Sequence, residues 1–175
     1  MPLHPYQSKL PRLGERVFVA PSAHLAGDLE AGDDCSFWFH VGARGDVHWI
    51  RIGARTSIQD GTILHVTHES HPLSIGNDVV VAHGCVIHGC TLEDGCLVGI
   101  GARVLDGALV ERGAQVGAGA VVTPGTRVPA GMLAVGVPAK VLRPLSDAER
   151  DNIPEIAQRY VRVKDRYLAE IGRGY

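Results

Sequence analysis

The chain has 175 residues and a formal net charge of −2, enough length for one domain with a buried core and too little charge for general attraction to nucleic acid or anionic lipid. Four cysteines without paired CxxC spacing, no stretch approaching about 18 apolar residues, and an N-terminal MPLHPYQSKLP without a basic segment followed by an apolar run argue against zinc knuckles, membrane spans and a secretory signal. The expectation is a soluble cytoplasmic protein in which Cys35, Cys85, Cys90 and Cys96 are reduced, buried fillers, and in which 22 glycines and 5% aromatic residues suit tight corners around a thin interior.

Residues 1–16 are proline-rich and polar and read as an extended lead-in. From Val19 an aliphatic or small apolar residue recurs every six positions, at Val19, Leu25, Ala31 and then Phe37. The segment from Val41 to Ile50 breaks step, and the count resumes at Ile52, Ile58 and Leu64. A polar loop, VTHESHPLS, stretches the next interval to eleven residues before Ile75, Val81 and Ile87, so it adds five residues to one hexad. A series from Val80 through Val86, Leu92, Val98, Val104, Val110, Val116 and Val122 to Val128 keeps the same period, one residue out of phase with the first, which places a shortened hexad near His88–Thr91.

A period of six is not helical, but it is a multiple of the strand period of two, so each hexad is a short strand that turns a corner. Three hexads per coil make a triangular prism with aliphatic side chains inside. The predicted fold over residues 17–140 is therefore an all-β solenoid, a parallel β-helix of hexapeptide repeats. VGVPAKVLRP then leads off the prism. In the 146–172 segment Ser146 and Glu149 form a possible capping box, and Pro154 suits only a first turn. The expectation is a short helical turn and then a helix from about Pro154 to Ile171. Its apolar stripe of Ile156, Tyr160, Val163, Tyr167 and Ile171 packs on the prism or on another subunit.

Coil arithmetic gives three of the nine histidines a common purpose. His65 and His88 are one coil apart once the five-residue loop is subtracted, so they stack on one face, roughly 4.8 Å apart, and each follows an inward aliphatic residue. His83 falls around a corner and reaches the same point only across the interface of a threefold assembly. Three neutral imidazoles with a fourth position open is the catalytic arrangement for Zn2+, whose bound water then ionises near neutral pH. Gln59 lies one hexad before His65, on the face of His83, where its amide can contact metal-bound solvent. Arg44 and Asp46 alternate in the out-of-step segment as a potential ion pair, with Asp60 a further anchor for Arg44. His68 and His71 flank Glu69 in the loop and are candidates to carry protons; His4, His24, His40 and His48 read as surface residues.

The motifs RGDV (44–47), IQDGTILH (58–65), VVVAHGCVIHGC (79–90) and GARVLDGA (101–108) closely resemble the γ-class carbonic anhydrase family, over roughly residues 10–170. That resemblance implies a left-handed coil and a homotrimer with interfacial metal sites holding zinc, or Fe2+ or Co2+ in cells. It implies His65, His83 and His88 as ligands, Arg44 and Asp46 as an inter-subunit ion pair, Gln59 as the residue that orients solvent, Asp60 as the adjacent structural acid and Tyr160 as the helix tyrosine near the site. Val47 departs from the fast members, which carry a glutamate there.

Three readings follow. One is hydration of CO2 to bicarbonate by a zinc-bound hydroxide. Another is acyl transfer or thioester hydrolysis on a coenzyme A substrate, the solenoid and the ending VGVPAKVLR being similar to hexapeptide acyltransferases. The last is a non-catalytic trimeric assembly protein whose metal locks its subunits.

Overall fold

Each hexad folds as a strand of two residues and a corner. Val98, Val104, Val110, Val116, Val122 and Val128 are all at 0% exposure, each the second residue of a short strand such as Leu97–Val98 or Arg103–Val104. At the following corners Gly101, Gly107, Gly113, Gly119 and Gly125 hold φ between 63° and 69°, the left-handed region that a side chain strains, so glycine recurs with the period of the core. Earlier coils put Arg16, Asp34, Arg55 and Asp78 into that region instead. Each arginine there makes a two-pronged bond to an acid in the next coil, Arg16 to Asp34 and Arg55 to Asp78.

The computed structural model describes residues 2–172. It is a left-handed parallel β-helix of hexapeptide repeats closed by a C-terminal helix. An eight-stranded sheet forms one side of the prism, and a twelve-stranded sheet wraps the others through the long strands His24–Ala31 and Gly42–Ile52.

The register accounts for every irregularity in the hexad count. Leu92 pairs with Val110 and Val110 with Val128, the regular coil. Gly42 pairs with His24, but Ile50 pairs with Leu29, so the out-of-step segment is a three-residue bulge in one strand. His88 pairs with His65 across the five-residue insertion, and Leu92 pairs with Ile75 across a coil one residue short. The inward series is thus Ile75, Val81, Ile87 and then Leu92. Val80 and Val86, members of the six-residue series in sequence, lie off the interior stack because the deletion falls after them.

Both ends differ from the sequence expectation. The lead-in supplies strands Leu3–His4 and Arg12–Leu13, which pair in parallel with His24–Ala31 and cover its edge. VGVPAKVLRP doubles back instead of leading off: Lys140–Pro144 pairs antiparallel with Met132–Val135. The helix, α1 (Asp147–Ile171), is continuous and capped by Ser146 and Glu149 as a capping box. Pro154 sits inside it, exposed, where the missing N–H orphans a single carbonyl on the solvent side. The buried stripe is also rotated from the expected one. Ile153, Ala157 and Lys164 are buried, Tyr160, Val163 and Tyr167 pack against the core, and Ile171 is 48% exposed. Tyr167 touches the rings of Phe18, Trp38 and Phe39, which fixes the helix against the eight-stranded side. Lys164, at 0% exposure, reaches Asp34 at 2.8 Å. No helix among the described residues is long and apolar enough to cross a membrane. All four cysteines are free and buried, and burial pushes the Cys35 and Cys96 thiols up to about 12 and Cys85 up to about 11.

Candidate metal centre

Ala43 pairs with Leu64 and Leu64 with Ile87, all pointing inward, so the residues that follow them point outward in a column: Arg44, His65 and His88 on successive coils. The parallel ladder holds the two imidazoles one above the other, tilted by 55°, with ring centroids 5.0 Å apart and His65 Nδ1 3.0 Å from His88 Nε2.

Each of the three candidate ligands carries a carboxylate on its other ring nitrogen. Asp46 lies 3.1 Å from His65 Nε2, Asp106 lies 2.6 Å from His88 Nδ1, and Asp60 lies 2.9 Å from His83 Nδ1. A carboxylate in that position fixes the tautomer, holding the N–H on its own side and leaving the opposite nitrogen bare. His65 Nδ1 and His88 Nε2 then face each other as two lone pairs, an arrangement that calls for a cation between them. Two imidazole nitrogens at this separation, each backed by an acid, fit a divalent metal. Burial lowers the His65 pKa, with Arg44 and His88 adding to the effect against the pull of Asp46, so the ring is in the neutral, ligating form at neutral pH.

The supporting acids are themselves held. Burial pushes the Asp46 carboxyl up, but hydrogen bonds from Arg44, the Val47 N–H and His65 outweigh it and hold the group below its ordinary range. The Arg44–Asp46 ion pair expected from the alternation forms within one chain, between residues of one strand. Within one chain Asp60 meets His83 and not Arg44, the partner suggested by the sequence. Ile58 pairs with Val81, which puts Asp60, not Gln59, directly under His83, and the acid serves that histidine instead. Gln59 is 3% exposed beside it.

His83 stays apart from the pair. It occupies a different side of the prism, its side chain is 46% exposed, and no group of three metal-binding side chains converges among the described residues of one chain. His68 and Glu69 stand exposed at the outer end of the loop, 3.9 Å from each other. Thr67 and His71 bridge across the base of that tip, Glu69 lines a cleft with Asp46 and Val47, and His71 folds over the corner at Gly89 and Gly107. Tyr160 packs edge-on against Trp38, and burial followed by the charge of Asp60 raises its pKa, which places the phenol on the His83 side. A groove of about 380 Å3 runs beside His65 and His88, lined by Ala26, Ala43, Ile63, Arg44 and His24.

Sequence reasoning missed Asp106, Thr67 and His24. Asp106 lies 18 residues beyond His88, so an acid sought one coil from each ligand would have been found. His24 is paired with His4 at 2.9 Å instead of standing alone on the surface. Nothing in its spacing marked it.

No family model matches the chain. It is 48% identical over 172 residues to Protein YrdA of Escherichia coli, covering 95% of this chain and 94% of that one. It is 41% identical to Gamma carbonic anhydrase 2, mitochondrial, of Arabidopsis thaliana, over 95% of this chain and 62% of that one. A Carbonic anhydrase of Geobacillus kaustophilus is 40% identical over 95% of this chain and 91% of its own length. Among solved structures, a hexapeptide transferase family protein from Anaplasma phagocytophilum superposes with a TM-score of 0.90 at 35% identity, covering 95% of this chain and 98% of that one.

Proposed function

The chain belongs to the γ-class carbonic anhydrase family, and from that membership we propose that it is a metal-dependent enzyme that interconverts CO2 and bicarbonate at the interfaces of a homotrimer. The observation that carries the reading is the registered pair of imidazoles, 3.0 Å apart and each backed by a carboxylate. His65 and His88 of one subunit and His83 of a neighbour would hold the ion, with Zn2+ suited to the all-nitrogen set and Fe2+ or Co2+ compatible with it. When bound, such a cation supplies Lewis acidity that brings a coordinated water to a pKa near 7.

The chain's own side chains supply the rest. Asp46, braced by Arg44, fixes the His65 ring. Asp60 fixes His83 from below and sits beside Gln59, whose buried amide presents the polar group that orients solvent. The apolar stretch of the groove at Ala26, Ala43 and Ile63 suits a small uncharged substrate. His71, with His68 and Glu69 farther out, provides titratable groups along the exit for the proton.

The likeness to a hexapeptide transferase family protein favours a second reading, acyl transfer or thioester hydrolysis on a coenzyme A substrate. Metal analysis of the purified protein, stopped-flow CO2 hydration and release of free thiol from acetyl-coenzyme A separate the two. CO2 hydration that a chelator abolishes supports the carbonic anhydrase reading. Thiol release without CO2 hydration overturns it.

A further inference from the structure

Two irregularities in the repeat fall at the same corner of consecutive coils. After His65 the chain inserts its five-residue loop; after His88, one coil up, it runs one residue short. The shortened corner, at Gly89 and Cys90, leaves room beside His88. Asp106 enters that room from the coil above, and the loop enters it from the coil below. Asp106 Oδ1 meets His88 Nδ1 at 2.6 Å, while Thr67 Oγ1 donates to Asp106 Oδ2 at 2.7 Å. Gly89 is what lets the three segments meet. Its φ is 53°, and a Cβ there would lie 2.4 Å from Asp106 Oδ1 and 2.8 Å from His71 Cβ.

We propose that Asp106 is a positioning residue for the metal centre: it fixes the ring of His88, and Thr67 fixes Asp106, so that the 66–72 loop sets the geometry of His88 through Asp106. The inference rests on His65 and His88 being metal ligands. The carboxylate takes the N–H of His88 on one oxygen and the Thr67 hydroxyl on the other, so the imidazole turns only by breaking its bond to Asp106 or by pulling the carboxylate off Thr67. Freed from that hold, His88 exchanges tautomers and turns its Nε2 away from His65, and the metal loses a pre-set ligand.

The test uses the full-length protein and two ions, Zn2+ and Co2+. Dissociation constants come from competition with a chromophoric chelator, and the visible bands of the Co2+ form report ligand geometry. Asp106→Asn is expected to weaken both ions by about 10- to 100-fold and to shift the Co2+ bands. Thr67→Val, which keeps the side-chain shape, is expected to move both readouts in the same direction by a smaller factor. Asp94→Asn removes an acid that bonds the Asn77 backbone at another corner, and is expected to leave both readouts unchanged. If Asp106→Asn and Thr67→Val bind both ions as the wild type does, with unaltered bands, the proposal is overturned. Should Asp106→Asn fail to fold, Thr67→Val decides alone. Wild-type protein that takes up neither ion overturns the metal-centre reading itself, and this inference with it.

Discussion

His88 stands one strand above His65 in the parallel ladder, and the facing nitrogens are 3.0 Å apart. On the proposed reading, replacing either ring removes a ligand and not merely a support. His88→Ala is therefore expected to weaken Zn2+ by more than the roughly 100-fold that marks loss of an outer partner, with CO2 hydration lost in parallel. Chelator competition and stopped-flow assays check it.

The separation of His83 from this pair permits a sharper experiment. Chains carrying His83→Ala keep the stacked pair, and chains carrying His88→Ala keep the third ligand. Refolded together in equal amounts, they should restore about a quarter of the wild-type metal sites, because one interface orientation in four combines the intact halves. Each variant alone should restore none. A mixture that binds no metal would show that the site is not shared between subunits.

Asp34 ties the C-terminal helix to the prism. The two-pronged Arg16 contact and then the Lys164 ammonium hold its pKa down to about 2 from the ordinary 3.8, against the opposing effect of burial. A depressed carboxylate stabilises the fold fully above its unfolded pKa and loses that contribution as the acid protonates. The Asp34 contribution to stability should be flat down to about pH 4 and fall towards pH 2, by on the order of 2 kcal/mol. Asp34→Asn should start less stable at pH 7 and show a shallower acid decline, measurable by circular dichroism melts.

Tyr167 closes the aromatic cluster over Trp38 and Phe18. Tyr167→Ala should cost about 2 kcal/mol in denaturant unfolding, below the range for a fully buried aromatic because the ring is only half-buried. Added solvent around Trp38 should red-shift the tryptophan fluorescence.

The thiols give a simple check on the interior. With Cys35, Cys85 and Cys96 pushed up to about 11 or 12 by burial, and Cys90 raised further, native protein at pH 8 should react slowly with a disulfide reagent. All four should titrate at once in denaturant.

The solenoid was legible because its core repeats: an aliphatic residue every sixth position needs no tertiary information to be seen. The same arithmetic stacked His65 on His88, since insertions at corners leave the register of the strands countable. It located the one-residue deletion too, yet chose Val80 and Val86 as inward, because a slip of one residue exchanges the two sides of a strand. The helix was misjudged at Pro154 because local preference was weighed without knowing that the ring faces water. Lys164 lay in the stripe but could not be recognised as buried until Asp34, 130 residues earlier in the chain, was brought beneath it. Asp60 was matched to Arg44 and not to His83, and Asp106 to no ligand, for a related reason: which coil faces which depends on where each insertion falls.

One consequence lies at the far end of the prism. A stack of parallel coils ends in a row of unsatisfied amides and carbonyls, an open template on which another chain could add. Lys140–Pro144 reverses direction across that last rung, presenting a proline that cannot donate and an arginine already bound to Glu149. Removing this short hairpin would leave the coils below it intact and still convert a discrete particle into one prone to grow end to end as fibres.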